Sequence, residues 1–390
     1  MSDRLPYEDR LEKARQLVSE SQAKGNGSLR FACDLPPITF VSSGIQALDQ
    51  LTGSYSGDRG AEQFIEGGFP MGRYTVVWGV EQAGKSTLMF RFIANAQRQG
   101  KLCLLVDAEN RATADWMARQ GVDLDTLLWH SGGIMEEGLQ DLVNMIELVD
   151  FVVVDTVHAL VPKAEVEDNK GKARDLRQDA PMGRQAFALN KFFKVATARV
   201  AKAQVGVVLV GQARDAAEAQ RPVKTLSGGN ALRHYATLRL KISKITAKDK
   251  VAQIGLTDQV PKKKVRGPDG TIIKEVPVGF LQKILLEKAG TNHLEGRSIL
   301  VPFLYGLGPD DFESNVMAAV GTAIASPSAG RYEIPTQDDP IKIHGREALL
   351  RFFRENQDHY DWVMAQITSE EEDGLPPGED ESNQDDDQDA

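Results

Sequence analysis

The chain has 390 residues, 41% hydrophobic and 26% charged, the composition of a globular protein with one large core and one or two accessory domains. Its formal charge of −10 is misleading: eleven acidic residues and no Lys or Arg lie between 370 and 390, leaving 46 basic and 45 acidic residues before them, so the body is free to bind a polyanion. Apolar runs such as 151–154 and 205–210 are far too short for the roughly 20 residues of a membrane span. The charged opening MSDRLPYEDRLEKAR disfavours secretion, Cys33 and Cys103 alone exclude a disulfide scaffold, and six scattered histidines show no zinc spacing, which together point to a reducing cytoplasm.

In chain order, residues 7–24 place Leu11, Ala14, Leu17 and Val18 close to helical spacing. The predicted helix ends at Gly25 and Gly27 and is thin on apolar surface, which suits packing on a neighbouring subunit. From about 40 to 308, short β-branched runs alternate with helical stretches, predicting an α/β fold around a twisted, mostly parallel sheet flanked by helices. The clearest strands are 73–78, 102–107, 151–155 and 205–210, each ending in a polar or glycine-rich segment where open α/β sheets bind ligands. Residues 245–282 break the rhythm with Gly255, Pro261, a PDG turn at 268–270 and Pro277, and read as an inserted β-hairpin region. Residues 345–367 carry a helical pattern in a small C-terminal α/β domain. The last segment lacks aromatic residues, contains Gly374, Pro376 and Pro377, and is expected to be disordered. It reads either as a solubilising tail or as an electrostatic gate that competes with another polyanion for basic surface. The expected organisation is an N-terminal arm (1–37), a core (38–308), a C-terminal domain (309–368) and an acidic tail (369–390).

Gly79, Val80, Glu81, Gln82, Ala83, Gly84, Lys85 and Ser86 fit G-x-x-x-x-G-K-[ST] between the strand RYTVVW and the helical stretch STLMFRFIANAQRQ. The glycines let backbone N–H groups wrap a β-phosphate at a helix N-terminus, with Thr87 in the first turn. Lys85 neutralises β/γ charge, and the Ser86 hydroxyl helps hold Mg²⁺. Asp155 ends FVVVD, where a carboxylate holds Mg²⁺ through its water shell; its plain alternative is a helix cap. Glu109 follows another strand and is placed to activate an attacking water, or else is a solvated loop carboxylate. Gln212 ends VVLVGQ, and an uncharged carboxamide there senses a γ-phosphate without titrating.

GGFPMGRYTVVWGVEQAGKSTL, LLVDAEN, VVVDTVHALVPKAEVE, APMGRQA, GQARD and SGGNALRHYATLRL, in this order, resemble the RecA family of homologous-recombination ATPases, bacterial or phage, over about 40–308. The PKAE and GGNAL segments are more specific than the phosphate loop, because unrelated ATPases of this kind lack them. The resemblance implies a RecA-like ATPase core with Glu109 as catalytic base, Asp155 on Mg²⁺ and Gln212 as the γ-phosphate sensor joined to a DNA loop. It also implies that Trp116 stacks on adenine. The family's adenine-contacting carboxylate falls at Thr113, a departure that bears on base selectivity. Lys288 is nearest the lysine that the family supplies from the adjacent subunit, whereas a second expected lysine is Gly290 and Arg233 replaces another near the interface.

Two segments match the family's DNA loops. The first, about 167–183, carries Lys170, Lys172, Arg174, Arg177 and Gly183, with Arg184 following. The second, about 213–228, carries Arg214, Arg221, Lys224 and Gly228, with Gly229 following. Cations there neutralise phosphates without reading sequence, whereas mixed-charge loops are otherwise merely solvated. PKKKVRG at 261–267 resembles a nuclear-import run but reads better as a basic β-turn near DNA. The implied function is a DNA-dependent ATPase and recombinase that uses ATP and Mg²⁺, coats single-stranded DNA as a helical filament and exchanges strands with homologous duplex. Loading or single-strand-binding proteins would be its partners, in a bacterial or phage-infected cytoplasm. The rival readings are a ring-forming DNA motor or branch-processing ATPase and a non-catalytic nucleotide-bound DNA coat.

Overall fold

A computed structural model of the chain describes residues 5–23, 29–35, 37–56, 63–167, 184–215, 224–226, 229–246, 261–266, 272–320, 323–328, 330–336 and 339–368. The chain divides into two units, Met1–Ile38 and Thr39–Ala390. The first holds helix α1 (Tyr7–Ala23) and a short 3-10 turn at Ala32–Asp34. Its Leu17 is 58% exposed, as expected of a helix with too little apolar surface to form a core of its own. No helix among the described residues is long and apolar enough to cross a membrane.

The second unit is built on a ten-stranded sheet. In chain order its strands are β1 (Tyr74–Gly79), β2 (Cys103–Asp107), β3 (Leu127–Ser131), β4 (Phe151–Asp155), β5 (Gly206–Asp215), β6 (Lys224–Leu226), β7 (Ala236–Ile245), β8 (Gly279–Ala289), β9 (Ser298–Leu304) and β10 (Gly308–Pro309). Across the sheet the order is β10-β9-β8-β7-β1-β5-β4-β2-β3, with β6 paired to β5. Strands β7, β1, β5, β4, β2 and β3 run parallel, while β8, β9 and β10 continue antiparallel from β7. The mostly parallel α/β sheet expected from the alternation of elements is therefore present.

Strands β1, β2 and β4 are buried along their whole length because helices cover both faces. Period-two alternation divides their side chains between two cores. Val77, Leu105, Val153 and Val208 meet Leu88, Phe92 and Ile93 of helix α3 (Lys85–Arg98), together with Leu48 of α2 (Gln46–Thr52). Val76, Val106, Val154 and Leu209 meet the other layer. There Leu139 and Leu142 come from α5 (Met135–Met145), and Phe192 and Phe193 from α7 (Arg184–Ala203). Two short helices, α4 (Ala114–Arg119) and α6 (Lys163–Val166), follow strand ends, and α8 (Gly229–Tyr235) precedes β7.

A third core joins α9 (Asp311–Ala319), a three-stranded antiparallel sheet at 325–344, α10 (Arg346–Glu355) and α11 (Gln357–Thr368) through Val316, Ile334, Leu349, Phe353 and Val363. The one helical pattern expected at 345–367 is thus two helices. Asn356 closes α10, its Nδ2 donating to Phe352 O at 2.9 Å, and apolar periodicity cannot register such a cap. Strand β5 extends five residues beyond the expected end at Val210, because its last three residues pair with β6 after the apolar run stops. Within 245–282 the described part is the antiparallel hairpin Lys262–Arg266 with Ile272–Pro277, after which Gly279 already belongs to β8. The acidic tail lies outside the described residues.

Candidate active site

The parallel strands end at one edge of the sheet, and β1 delivers Gly79 to it beside Ile242 of β7. A Cβ on Gly79 would collide with the Ile242 carbonyl oxygen, so the neighbouring backbone demands glycine. The loop then turns through Gln82 (φ 56°) and Gly84 (φ 81°) into α3. Gly84 is the N-cap of α3 and makes no side-chain cap, so the first N–H groups of the helix remain available to an anion. The loop's carbonyls are held elsewhere. Lys85 Nζ donates to Val80 O at 2.7 Å and Gly79 O at 3.2 Å, and Gln282 Nε2 donates to Ala83 O at 2.6 Å. Lys85 is buried. Desolvation pushes its ammonium pKa down, opposed by Asp155, Glu109 and Glu81. Glu81 and Gln82 have exposed side chains, so their place in the site is a backbone one, while Ala83 is fully buried.

Strands β2 and β4 lie in register, Asp107 opposite Asp155. The Asp107 carboxylate accepts from Arg111 N at 3.3 Å and Ala112 N at 2.9 Å, and Asn110 takes φ 52°, folding the chain tightly around Glu109. Glu109 Oε1 accepts from Gln212 Nε2 at 2.7 Å and Thr156 Oγ1 at 2.9 Å, and its Oε2 meets Arg111 Nη1 at 3.0 Å. Gln212 is fixed from behind as well, its N–H donating to His158 Nδ1 at 3.2 Å. Asp155 is 8% exposed, and burial raises its pKa to about 6, partly offset by a hydrogen bond from Ser86. Its Oδ1 meets no donor among the described residues. An orphaned carboxylate oxygen beside a serine hydroxyl is the hard donor set that suits Mg²⁺, and the glycine turn beside a buried lysine suits a phosphate.

Lys85, Ser86, Glu109, Asp155 and Gln212, named from sequence, are thus neighbours. Trp116 packs against the core, with Nε1 donating to Thr87 Oγ1 at 3.3 Å, and Thr113 caps α4 by accepting from Trp116 N. Lys288 lies away from this cluster. It pairs across the sheet with Arg239, which in turn sits beside Val76, three residues (about 10 Å) before Gly79. Its Nζ donates to Arg233 O at 3.3 Å and His234 O at 3.2 Å, and partial burial beside Arg239 lowers its pKa.

Arg184 opens α7 and Arg214 lies on β5, both exposed. Lys224 is on β6 opposite Asp215, and Gly229 opens α8. Lys170, Lys172, Arg174, Arg177, Gly183, Arg221 and Gly228 lie outside the described residues. Sequence reasoning missed Thr156, Arg111, His158 and Gln282. Thr156 follows Asp155 directly and its hydroxyl was a usable signal, whereas nothing local marks Gln282.

A strand, a glycine loop and a helix around a buried lysine, beside a strand-end aspartate, define a P-loop nucleotide-binding protein. The RecA N-terminal domain matches residues 38–277, and the chain belongs to the RecA family, proteins of DNA recombination and repair that bind DNA and ATP. It is 31% identical over 250 residues to Protein RecA of Desulforapulum autotrophicum, covering 63% of this chain and 67% of that one. Protein RecA of Colwellia psychrerythraea is 36% identical over 184 residues, 46% of this chain and about half (51%) of that relative. Protein RecA of Nautilia profundicola is 32% identical over 265 residues, covering 66% and 70%.

Proposed function

We propose that the protein is an ATP-dependent DNA recombinase that forms a filament on single-stranded DNA and promotes homologous pairing and strand exchange, with hydrolysis stimulated by DNA. The observation that carries this reading is Gln212, whose side chain holds Glu109 while its strand runs on through Arg214 into the segment expected to meet DNA. A change at the DNA segment thereby reaches the general base directly.

Ser86 and Asp155 would hold Mg²⁺. Among the described residues no three His, Cys, Asp or Glu side chains are grouped to hold a metal, so nucleotide oxygens would complete the shell. Bound ATP supplies the phosphoanhydride to be cleaved. The chain's own groups do the rest: Lys85 and the α3 N-terminus neutralise phosphate charge, Trp116 offers its ring to the base, and Glu109 takes the water proton on its carboxylate. Lys288, distant from its own phosphate loop, suits a role across a subunit boundary. That geometry requires a head-to-tail contact, which generates a filament where successive subunits do not close on themselves and a ring where they do. The exposed Leu17 of α1, and Phe187 and Val195 on α7, are apolar surface that another subunit would cover.

The test is ATP hydrolysis with and without single-stranded DNA at low and moderate salt, followed by strand exchange. DNA stimulation with joint-molecule formation is expected. Equal hydrolysis with and without DNA would overturn the coupling, and absence of hydrolysis in both would leave a nucleotide-bound coat.

A further inference from the structure

The amide of Gln282 is fully buried in β8 and reaches the phosphate loop from 199 residues away, Nε2 donating to Ala83 O at 2.6 Å. Its Oε1 meets no donor among the described residues. A buried carboxamide that satisfies one end and orphans the other contributes little to folding, because the unpaired oxygen costs about as much as a hydrogen bond returns. A fold-only requirement at this position is met by an apolar side chain, like those of its neighbours Phe280, Leu281 and Ile284.

The geometry of the peptide unit supplies another reason for the amide. In a planar trans peptide the C=O and N–H point in opposite directions. Anchoring Ala83 O on the side of β8 therefore aims the Gly84 N–H the other way, toward the concave side of the loop. The left-handed turns at Gln82 and Gly84 bring successive N–H groups to one side, an arrangement that binds anions. Space enforces the contact: a Cβ on Gly84 would stand 2.8 Å from Gln282 Nε2 and 2.5 Å from Phe303 Cε2. Lys85 holds the carbonyls of Gly79 and Val80 in the same loop, and Gln282 holds that of Ala83 from the β8 side.

We propose that Gln282 is a positioning residue for the phosphate loop, fixing the Ala83–Gly84 peptide so that its N–H faces the bound phosphate. The proposal rests on the nucleotide-binding reading above and assigns part of that binding to a strand outside the loop motif.

The test compares wild type, Gln282→Met, Gln282→Asn and Val301→Ala. Met fills the volume without a donor, Asn keeps the carboxamide one methylene too short, and Val301, opposite Gln282 in the sheet, has no side-chain polar group to offer the loop. The readouts are ADP–Mg²⁺ affinity by calorimetry, the thermal midpoint of nucleotide-free protein, and KM against kcat. Both Gln282 variants should bind ADP about tenfold more weakly, or about 1.4 kcal/mol. Their nucleotide-free midpoints should stay within about 3 °C of wild type, and KM should rise with kcat little changed. Val301→Ala should lower the midpoint and leave ADP affinity within about twofold. Unchanged ADP affinity in both Gln282 variants, or an equal loss in Val301→Ala, overturns the proposal. Should Gln282→Met not fold, Gln282→Asn carries the same comparison. Wild-type protein that binds no nucleotide would overturn the underlying reading instead, a distinct result.

Discussion

Gln212 and Glu109 stand 103 residues apart in sequence, yet the Gln212 carboxamide donates to Glu109 Oε1 at 2.7 Å while its own N–H is held on His158 Nδ1. A residue held at its backbone N–H and at its side-chain amide transmits displacement of its strand to the carboxylate it holds. Replacing Gln212 with Ala should therefore reduce DNA-stimulated hydrolysis far more than basal hydrolysis, bringing their ratio close to one. Steady-state phosphate release with and without single-stranded DNA measures that ratio.

Glu109→Gln should lower hydrolysis by about 10²–10⁴, the usual worth of a general base, while nucleotide and DNA binding persist. Thr156→Ala removes one of the two donors to the same oxygen and should cost about tenfold. Phosphate release paired with fluorescence anisotropy on labelled DNA separates catalysis from binding. Equal loss of both would show that Glu109 supports the fold rather than the chemistry.

Gly84→Ala places a methyl against Phe303 and Gln282 at a residue with φ 81°. The left-handed backbone alone costs about 1–3 kcal/mol for a residue other than glycine, so the loop should open or shift. Nucleotide titration should show binding reduced at least about tenfold, with circular dichroism still reporting a folded chain. Normal affinity would mean that the loop tolerates rearrangement.

Asp49 gives a pH dependence that needs no nucleotide. It is 3% exposed, accepts from Ser42 Oγ and Ser43 Oγ at 2.5 Å and from Ser43 N at 2.8 Å, and burial raises its pKa to about 6. A folded-state pKa above the unfolded value means that the native state holds the proton more tightly. Its contribution is fully present below the unfolded value of about 3.8 and is lost as pH rises through about 6. The stability difference between wild type and Asp49→Asn should therefore decline by on the order of 2 kcal/mol from pH 4 to 7 and then level off. Urea titrations across that range measure it, and a flat difference would place the Asp49 pKa near its ordinary value.

Much of the site was legible because its signals are local. The spacing of Gly79, Gly84, Lys85 and Ser86, and the carboxylates that follow apolar runs at Glu109 and Asp155, reflect backbone demands that sit next to each other in the chain. The antiparallel extension of the sheet through β8, β9 and β10 was not legible. A strand such as β8 alternates in the same way whichever direction its partner runs. Nor was the break between α10 and α11, where one asparagine ends a helix inside an uninterrupted apolar pattern.

The sequence by itself determined the identity of the loop, the strands that carry it and the elements flanking them, because period-two and period-3.6 burial are written into neighbouring residues. Only the tertiary structure decided that Gln282 grips Ala83, that Gln212 and Thr156 share one oxygen of Glu109, and that Lys288 donates to the carbonyls of Arg233 and His234. Those contacts depend on sheet order and register. A slip of one residue would turn every such side chain to the opposite face, and register is set by the packing of whole strands rather than by any segment that can be read alone.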